Sequence, residues 1–260
     1  MINSLWISKT GMEAQQTQLD VISHNLANVS TTGFKRAGVV FQDLMYQNLR
    51  QVGANANEQS QLPTGLQLGL GVRTVATSRS FTQGSMQQTN NQFDLAIKGN
   101  GFFQVTMPDG TIGYTRDGSF QVDAQGKLVN STGLAVANGI TVPTTATAVS
   151  IGTDGTVTAT IAGQSAPQQI GTLALVNFVN PAGLAPQGDD LYAETAASGQ
   201  PNGGTAGTNG LGTIMQGYLE GSNVNVVQEL VSMIQTQRAY EMNSKAIQTS
   251  DQMLQKLGQM

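Results

Sequence analysis

Few side chains in this sequence of 260 residues are suited to catalysis. It has one histidine, His24, and no cysteine, which excludes thiol nucleophiles, disulfides and zinc sites built on cysteine or on several histidines. A serine nucleophile would need His24 as its base. That histidine lies in a predicted helix, and no Gly-x-Ser-x-Gly motif is present. The sequence therefore offers no assembled nucleophile.

Glycine-rich and acidic motifs are equally weak. The string GNGFFQ at 99–104 lacks the third glycine of a dinucleotide-binding loop, and Gly126-Lys127 is not followed by Ser or Thr. Five of the ten aspartates mostly precede or lie in glycine turns, where a carboxylate bonds its own backbone; these are Asp94, Asp109, Asp117, Asp123 and Asp154. We predict no catalytic, cofactor-binding or metal-binding residue, no cofactor, and a protein that is not an enzyme.

The composition favours a covered surface. Charged residues make up 11% of the chain and hydrophobic residues 39%, against about 25% charged in an ordinary soluble domain. With 12 Lys plus Arg, 16 Asp plus Glu and a net charge of -4, nucleic-acid binding is disfavoured. No apolar run reaches the roughly 20 residues of a membrane span, and the N-terminal residues do not predict a cleavable signal peptide. Low charge is typical of a polymer subunit, or of a secreted β-rich protein.

Both ends of the chain are predicted helices with apolar residues every seven positions. The first covers residues 1–29, and the second follows Gly221, Ser222 and Asn223, which we expect to supply its N-cap. Sevenfold spacing favours helices that wind around each other or around other copies. The predicted assembly seam is Leu5, Met12, Leu19, Leu26, Val226, Leu230, Met233, Tyr240, Ile247 and Leu254.

The middle of the chain has a different pattern. Glycine turns such as Asp109-Gly110 and Asp154-Gly155 separate short β-prone runs. We therefore predict an α+β fold, in which N- and C-terminal helices pair as a coiled coil and an all-β domain of short strands is inserted between them. The predicted division is terminal helices at 1–35 and 218–260, an extended polar connector at 36–72 and an outer β domain at 73–217.

Four strings of this sequence resemble the rod and hook family of axial proteins of the bacterial flagellum. They are HNLANVSTTGFKR at 24–36, TNNQFDLAIKGNGFFQV at 89–105, YTRDGSF at 114–120 and the stretch from QGYLEGSN to SDQML at 216–254. They occur at both ends and in the middle, in the family's order. Gln92-Phe93 departs from the family pattern at a β-domain packing position. The residues matching the N-terminal motif are Asn25, Leu26, Ala27, Asn28, Thr32, Gly33 and Phe34.

This resemblance implies a structural subunit and its surroundings. The length and the long connector resemble the distal rod type, whose copies build a rigid, hollow, helical drive shaft that transmits motor torque to the hook. Implied partners are further copies, proximal rod and hook proteins, and the surrounding bushing rings. The implied location is the periplasmic rod of the basal body, after type III export without a cleaved signal peptide. Alternatives are a proximal rod or hook-type protein or, in another class, a β-rich surface glycan-binding protein.

Overall fold

A computed structural model of the chain describes residues 2–51, 55–57, 60, 61, 64–163 and 166–258. The chain forms two compact units. The helix unit comprises Met1–Ala27, Ala37–Ser78 and Asn225–Met260, and the β unit comprises Asn28–Arg36 and Arg79–Val224. Helices at both ends and a mostly stranded middle confirm the α+β class predicted from the sequence.

The helix unit contains two long helices and short strand pairs. Helix α1 spans Ile2–Ala27 and α2 spans Val226–Gly258. The strands are β1 (Ala37–Asp43), β2 (Tyr46–Arg50), β3 (Asn55–Asn57), β4 (Ser60–Gln61), β5 (Leu66–Gly69) and β6 (Val72–Arg79). Strand β1 pairs with β6, β2 with β5 and β3 with β4.

Helices α1 and α2 lie against each other in antiparallel directions. The Gln15 amide oxygen accepts a hydrogen bond from Asn243 Nδ2 at 3.2 Å, and Asn25 Nδ2 donates to Glu229 Oε2 at 3.4 Å. A Cβ atom on Gly11 would stand 3.0 Å from Asn243 Nδ2. The glycine that weakens α1 as an isolated helix therefore permits this close approach.

The start of α2 differs from the sequence prediction. Asn225 is the capping residue, because its Oδ1 accepts hydrogen bonds from the backbone N of Val227 at 3.0 Å and of Gln228 at 3.3 Å. The cap expected among residues 221–223 is wrong. Asn223 bonds to other segments of the β unit instead, with its Oδ1 accepting from Arg36 N at 2.7 Å and its Nδ2 donating to Ser80 O at 2.9 Å.

The β unit is built from fifteen strands among the described residues. In chain order, β7 to β21 are Met86–Gln88, Leu95–Lys98, Phe102–Thr106, Ile112–Thr115, Gln121–Val122, Leu128–Val129, Ala146–Ile151, Thr156–Ile161, Gln168–Thr172, Ala174–Asn177, Ala185–Gly188, Leu191–Ala193, Asn202–Thr205, Thr213–Gln216 and Tyr218–Glu220. A 3-10 turn at Pro181–Gly183 follows β16. The largest sheet has six antiparallel strands in the order β17-β18-β10-β9-β16-β19, and a three-stranded sheet is formed by β13, β14 and β15.

Two hydrophobic clusters form the core of the β unit. Alternation along β9 sends Phe102 into one cluster with Tyr114 and Tyr192, and Phe103 into the other with Phe120. Ring pairs are edge-to-face, with Phe103 and Phe120 centroids 5.2 Å apart. These five phenylalanine and tyrosine side chains are almost fully buried. The unit thus completes its own core.

The predicted connector at 36–72 contains short strands where the structure describes it, namely β1 to β5. Residues 52–54, 58, 59, 62 and 63 of this connector lie outside the described residues. The unit boundaries also differ from the predicted division, because Asn28–Arg36 belongs to the β unit and Ala37–Ser78 to the helix unit.

Candidate assembly interface

The N-terminal motif begins with a buried clamp at Asn25. Its Nδ2 donates to Ala37 O at 2.8 Å, and its Oδ1 accepts from Ala37 N at 2.9 Å. Only 1% of Asn25 is exposed, and Glu229 in the first turn of α2 is fully buried beside it. An acidic side chain in that position also suits the positive end of the helix dipole. The asparagine thus joins the end of α1, the start of β1 and the start of α2.

The residues after Asn25 turn the chain by specific contacts. Within the β unit, Thr31 Oγ1 donates to Asn28 Oδ1 at 3.1 Å and Thr32 Oγ1 donates to Asp117 Oδ1 at 2.8 Å. Gly33 has φ +72, and its N donates to Glu220 O at 2.8 Å. A Cβ on Gly33 would come within 2.7 Å of the Arg116 carbonyl carbon. Both the backbone conformation and the space therefore require glycine here.

Three charged side chains from distant parts of the chain meet in the β unit. Lys35 Nζ donates to Glu220 Oε1 at 2.6 Å, and Arg116 Nη1 donates to Glu220 Oε2 at 3.1 Å. The side chains of Lys35 and Glu220 are fully buried, and 3% of the Arg116 side chain is exposed. Lys35 also donates to Thr82 O at 2.9 Å, and Gly84 N donates to Glu220 Oε1 at 2.9 Å. We call Lys35, Arg116 and Glu220 the buried charge cluster.

Burial dominates the electrostatics of this cluster. Desolvation lowers the pKa of Lys35, although Glu220 partly offsets the shift by favouring the charged amine. Desolvation likewise lowers the pKa of Arg116, again opposed by Glu220. Arg116 gains further support from Gly99 O, which accepts from Nη2 at 2.7 Å, and from the Phe102 ring, 5.5 Å from its guanidinium carbon. The glutamate is therefore the group on which both cations depend.

The other motif residues occupy structural positions as well. Phe34 is buried, with the Arg79 guanidinium carbon 5.9 Å from its ring centroid. Leu26 and Asn28 are half-buried, and Ala27 is exposed at the end of α1. Sequence reasoning identified the motif residues but missed Lys35, Arg116 and Glu220. The available signal was that these charges lie inside the four quoted strings of a chain otherwise poor in charge.

The predicted assembly seam lies along the helix pair of the helix unit. Six of its residues are half-buried: Leu5, Met12, Leu19 and Leu26 of α1, and Met233 and Ile247 of α2. The remaining α2 members are exposed: Val226, Leu230, Tyr240 and Leu254. The seam is therefore partly used within the chain and partly left open.

Exposed apolar side chains are concentrated in the helix unit. Nineteen of the twenty-one exposed large hydrophobic residues in the described chain belong to it, and the other two are Ile112 and Val179 of the β unit. Met45, Tyr46 and Leu49 extend the exposed apolar surface onto the β2–β5 hairpin. A concentration of this kind marks an interaction surface.

Comparisons with known proteins agree with the family resemblance of the four strings. Residues 6–35 match the family described as flagella basal body rod protein, residues 96–159 the flagellar hook protein FlgE/F/G D1 domain, and residues 215–260 the flagellar basal body rod FlgEFG protein C-terminal family. The chain is 58% identical to the flagellar basal-body rod protein FlgG of Buchnera aphidicola subsp. Schizaphis graminum, over 100% of both chains. It is 46% identical to FlgG of Borreliella burgdorferi, over 98% of this chain and 97% of that one.

The chain belongs to the flagellar basal-body rod protein family. It is a structural protein of the basal body and not an enzyme, as the sequence predicted. A flagellar hook-basal body complex protein of Bacillus subtilis, FlhP, is also similar, at 31% identity over 98% of this chain and 97% of that one. FlgG of the same organism is 38% identical, over 99% and 98%. These identities favour the rod interpretation over a glycan-binding protein.

The side chains first considered for chemistry have structural positions in this rod protein. Asp109 and Asp154 each accept from the hydroxyl and the backbone N of a threonine two residues on, which lowers the pKa of both carboxyls. His24 is exposed in the last turn of α1. In the described part of the chain, no group of three or more acidic or histidine side chains is arranged to hold a metal ion. Nor, within it, is any helix long and apolar enough to cross a membrane.

Proposed function

We propose that the chain is a subunit of the distal rod, and that its copies polymerise into a rigid, hollow, helical shaft that transmits motor torque to the hook. The observation that carries this proposal is the distribution of exposed apolar side chains, nineteen of twenty-one in the helix unit among the described residues. Similarity over the full length of FlgG relatives supports the distal rod type over proximal rod or hook-type proteins.

The helix units would form the inner tube of the shaft. Burying one large apolar side chain contributes roughly 1.5 to 3 kcal/mol, and ordering the helices costs conformational entropy that neighbouring copies must offset. In this tube the seam residues of different copies pack as a coiled coil, with the β units outside. Contacts between two different faces of identical subunits extend into a helix when the rotation between neighbours does not close a ring.

The surroundings follow from the same proposal. The shaft runs through the periplasm, contacts proximal rod proteins at one end and hook proteins at the other, and turns inside bushing rings. Its subunits leave the cytoplasm by type III export without a cleaved signal peptide. In the assembled shaft, the buried charge cluster stabilises the folded β unit, because it ties residues of the N-terminal, middle and C-terminal strings together.

Electron microscopy of the purified full-length chain tests the proposal. Concentrated protein should form straight filaments with a central channel, and a bacterium that lacks its own distal rod protein should regain hooks and swimming when it expresses this chain. A protein that stays monomeric at high concentration and restores no hook would contradict the distal rod assignment. Restored rods without hooks would favour the proximal rod alternative.

A further inference from the structure

A groove opens on one flank of the helix unit. It encloses about 360 Å³ and is lined by the small residues Gly11, Ala14 and Ala239 and by the apolar side chains of Phe41 and Val72. The rest of its lining is glutamine and threonine, so no charged residue borders it. Small residues leave space for a side chain from elsewhere, and none of the described residues fills that space.

A ridge projects from the same unit on a different face. Val227, Val231 and Ile234 follow one another at i, i+4 and i+7 of α2, and 69%, 48% and 57% of these residues are exposed. At about 100° per residue they lie opposite Glu229 and Asn243, which face α1. Between residues 226 and 237 the only charged residue is Glu229, and it is fully buried. The ridge is therefore as free of charge as the groove.

We propose that the groove receives the ridge of a second copy of this chain. The proposal rests on the polymer proposed above and names two surfaces that build it. Both surfaces are uncharged, so their contact desolvates no ionised group. Both belong to one compact unit, yet they face different directions around the helix pair, so each copy can donate its ridge to one neighbour and accept the ridge of another. Such a heterologous contact builds a filament when the rotation between neighbours does not close a ring.

Cross-linking between two single-cysteine chains tests the pairing, because the chain contains no cysteine of its own. One chain carries Gln18→Cys in the groove and the other carries Val231→Cys on the ridge. Mixed and oxidised, they should give a disulfide-linked dimer as the main product, at least tenfold above either chain alone, since a disulfide needs Cβ atoms about 4 Å apart. A third chain with Leu49→Cys, on the β2–β5 hairpin, is the comparison.

Each outcome bears on a different claim. Filaments without the Gln18–Val231 cross-link would overturn the groove pairing while leaving the proposed polymer intact. A dominant cross-link of Gln18→Cys to Leu49→Cys would overturn it in favour of the hairpin as occupant. Failure to form either filaments or the cross-link would overturn both proposals.

Blocking the groove gives an independent measurement. Ala239→Leu fills it and should lower filament yield at least tenfold, whereas Ala246→Leu makes the same change at an exposed site of α2 outside the groove and should leave the yield unchanged. Ala239 is half-buried, so a change there also acts on the packing of the monomer. Val231→Asn on the exposed ridge is therefore the second variant. Its filament yield should fall, and its folded monomer should be unchanged. Normal filaments from Val231→Asn would overturn the proposal.

Discussion

The β unit and the helix unit use apolar side chains in opposite ways. Of the twenty-nine buried hydrophobic residues in the described chain, the helix unit contributes Ala14 and Ile22, and the β unit contributes the rest. Exposed large hydrophobic residues show the reverse distribution. The β unit thus has a core that needs no partner, whereas the helix unit leaves apolar surface exposed in the monomer.

The two units also differ in the placement of their charged side chains. The β unit contains the buried charge cluster, where one glutamate supports two desolvated cations. In α2, residues 226–237 expose apolar side chains and amides, and the charged residue of that stretch, Glu229, is buried. A buried cluster of this kind makes a fold sensitive to loss of one partner, and an uncharged surface makes an interface sensitive to gain of a charge. The two units should therefore respond to opposite kinds of mutation.

Removing the charge of Glu220 should have the largest effect. Glu220→Gln leaves Lys35 and Arg116 buried without a counter-charge and should lower the free energy of unfolding of the β unit by about 3–5 kcal/mol. Denaturant unfolding of the monomer measures this. Glu241→Gln on the exposed surface of α2 is the control, and we expect a change within about 0.5 kcal/mol. Equal stability of the two variants would refute the dependence on Glu220.

Adding a charge to the helix unit should act on assembly alone. Leu230→Asp or Tyr240→Asp places a carboxylate in the predicted seam at residues 42% and 41% exposed in the monomer. Burying this carboxylate in a filament costs about 3 kcal/mol. That cost should raise the critical concentration for polymerisation about a hundredfold. The melting temperature of the monomer should stay unchanged. The measurement is pelleted polymer against total protein.

The matched control for the seam lies in the β unit. Ile112 is 45% exposed, close to Leu230, so Ile112→Asp makes the same change on a similarly exposed side chain. We expect its polymerisation to match that of the unmodified chain. If Ile112→Asp and Leu230→Asp inhibit filament formation equally, then apolar exposure in the helix unit does not mark the assembly surface, and the seam assignment fails.

Protease sensitivity should separate the two units in the monomer. The helix unit buries few apolar side chains, so its local opening should be easier than that of the β unit. We expect limited proteolysis to cut within both ends of the chain at least tenfold faster than within residues 79–224, and filaments to abolish the difference. Ends that resist cleavage as well as the β unit does would show that the helix pair is stable without neighbours.

The helices were predictable because their signal is local. Sevenfold apolar spacing and the lack of proline place helices close to Ile2–Ala27 and Val226–Gly258. Short strands were predictable where a glycine turn marks an end, as at Thr156–Ile161. The apolar run around Leu173 does not form one strand: β15 ends before Leu173 and β16 begins after it, because Leu173 N donates to Gly155 O outside the ladder. A competing contact from a distant turn leaves no local signal.

The buried charge cluster could not be predicted for the same reason. Lys35 and Glu220 are 185 positions apart, and Arg116 and Glu220 are 104 apart. A single sequence shows that these residues are charged, but their pairing depends on how strands of the β unit bring three segments together. Asn223 and Asn225 show the limit at short range. Both suit a helix cap, and only the tertiary contacts of Asn223 with Arg36 and Ser80 decide which one caps α2.

The smallest expected effect concerns Asp190 in the β17–β18 turn. Burial raises the pKa of Asp190 to about 6, with the nearby carboxylates of Asp117 and Asp189 adding to the shift and Arg79 opposing it. Because the folded pKa lies above the unfolded value of 3.8, the folded state binds a proton more tightly, and stability falls as pH rises from about 4 to 6. Asp190→Asn removes this penalty and keeps a side chain that tolerates its φ of +57.

For a half-buried carboxyl the gain, after allowance for solvent screening, is about 1 kcal/mol at pH 7.5 and smaller at pH 4.5. Denaturant unfolding at the two pH values measures it. Asp109→Asn is the control of opposite sign, because hydrogen bonds from Thr111 lower the pKa of Asp109. That substitution should destabilise the β unit at neutral pH and have less effect as pH falls through the lowered pKa.

Since the β unit needs no neighbours for its core, both effects should be equal in monomer and filament. A pH effect of Asp190→Asn that appears only in filaments would show that neighbouring copies help to bury this turn.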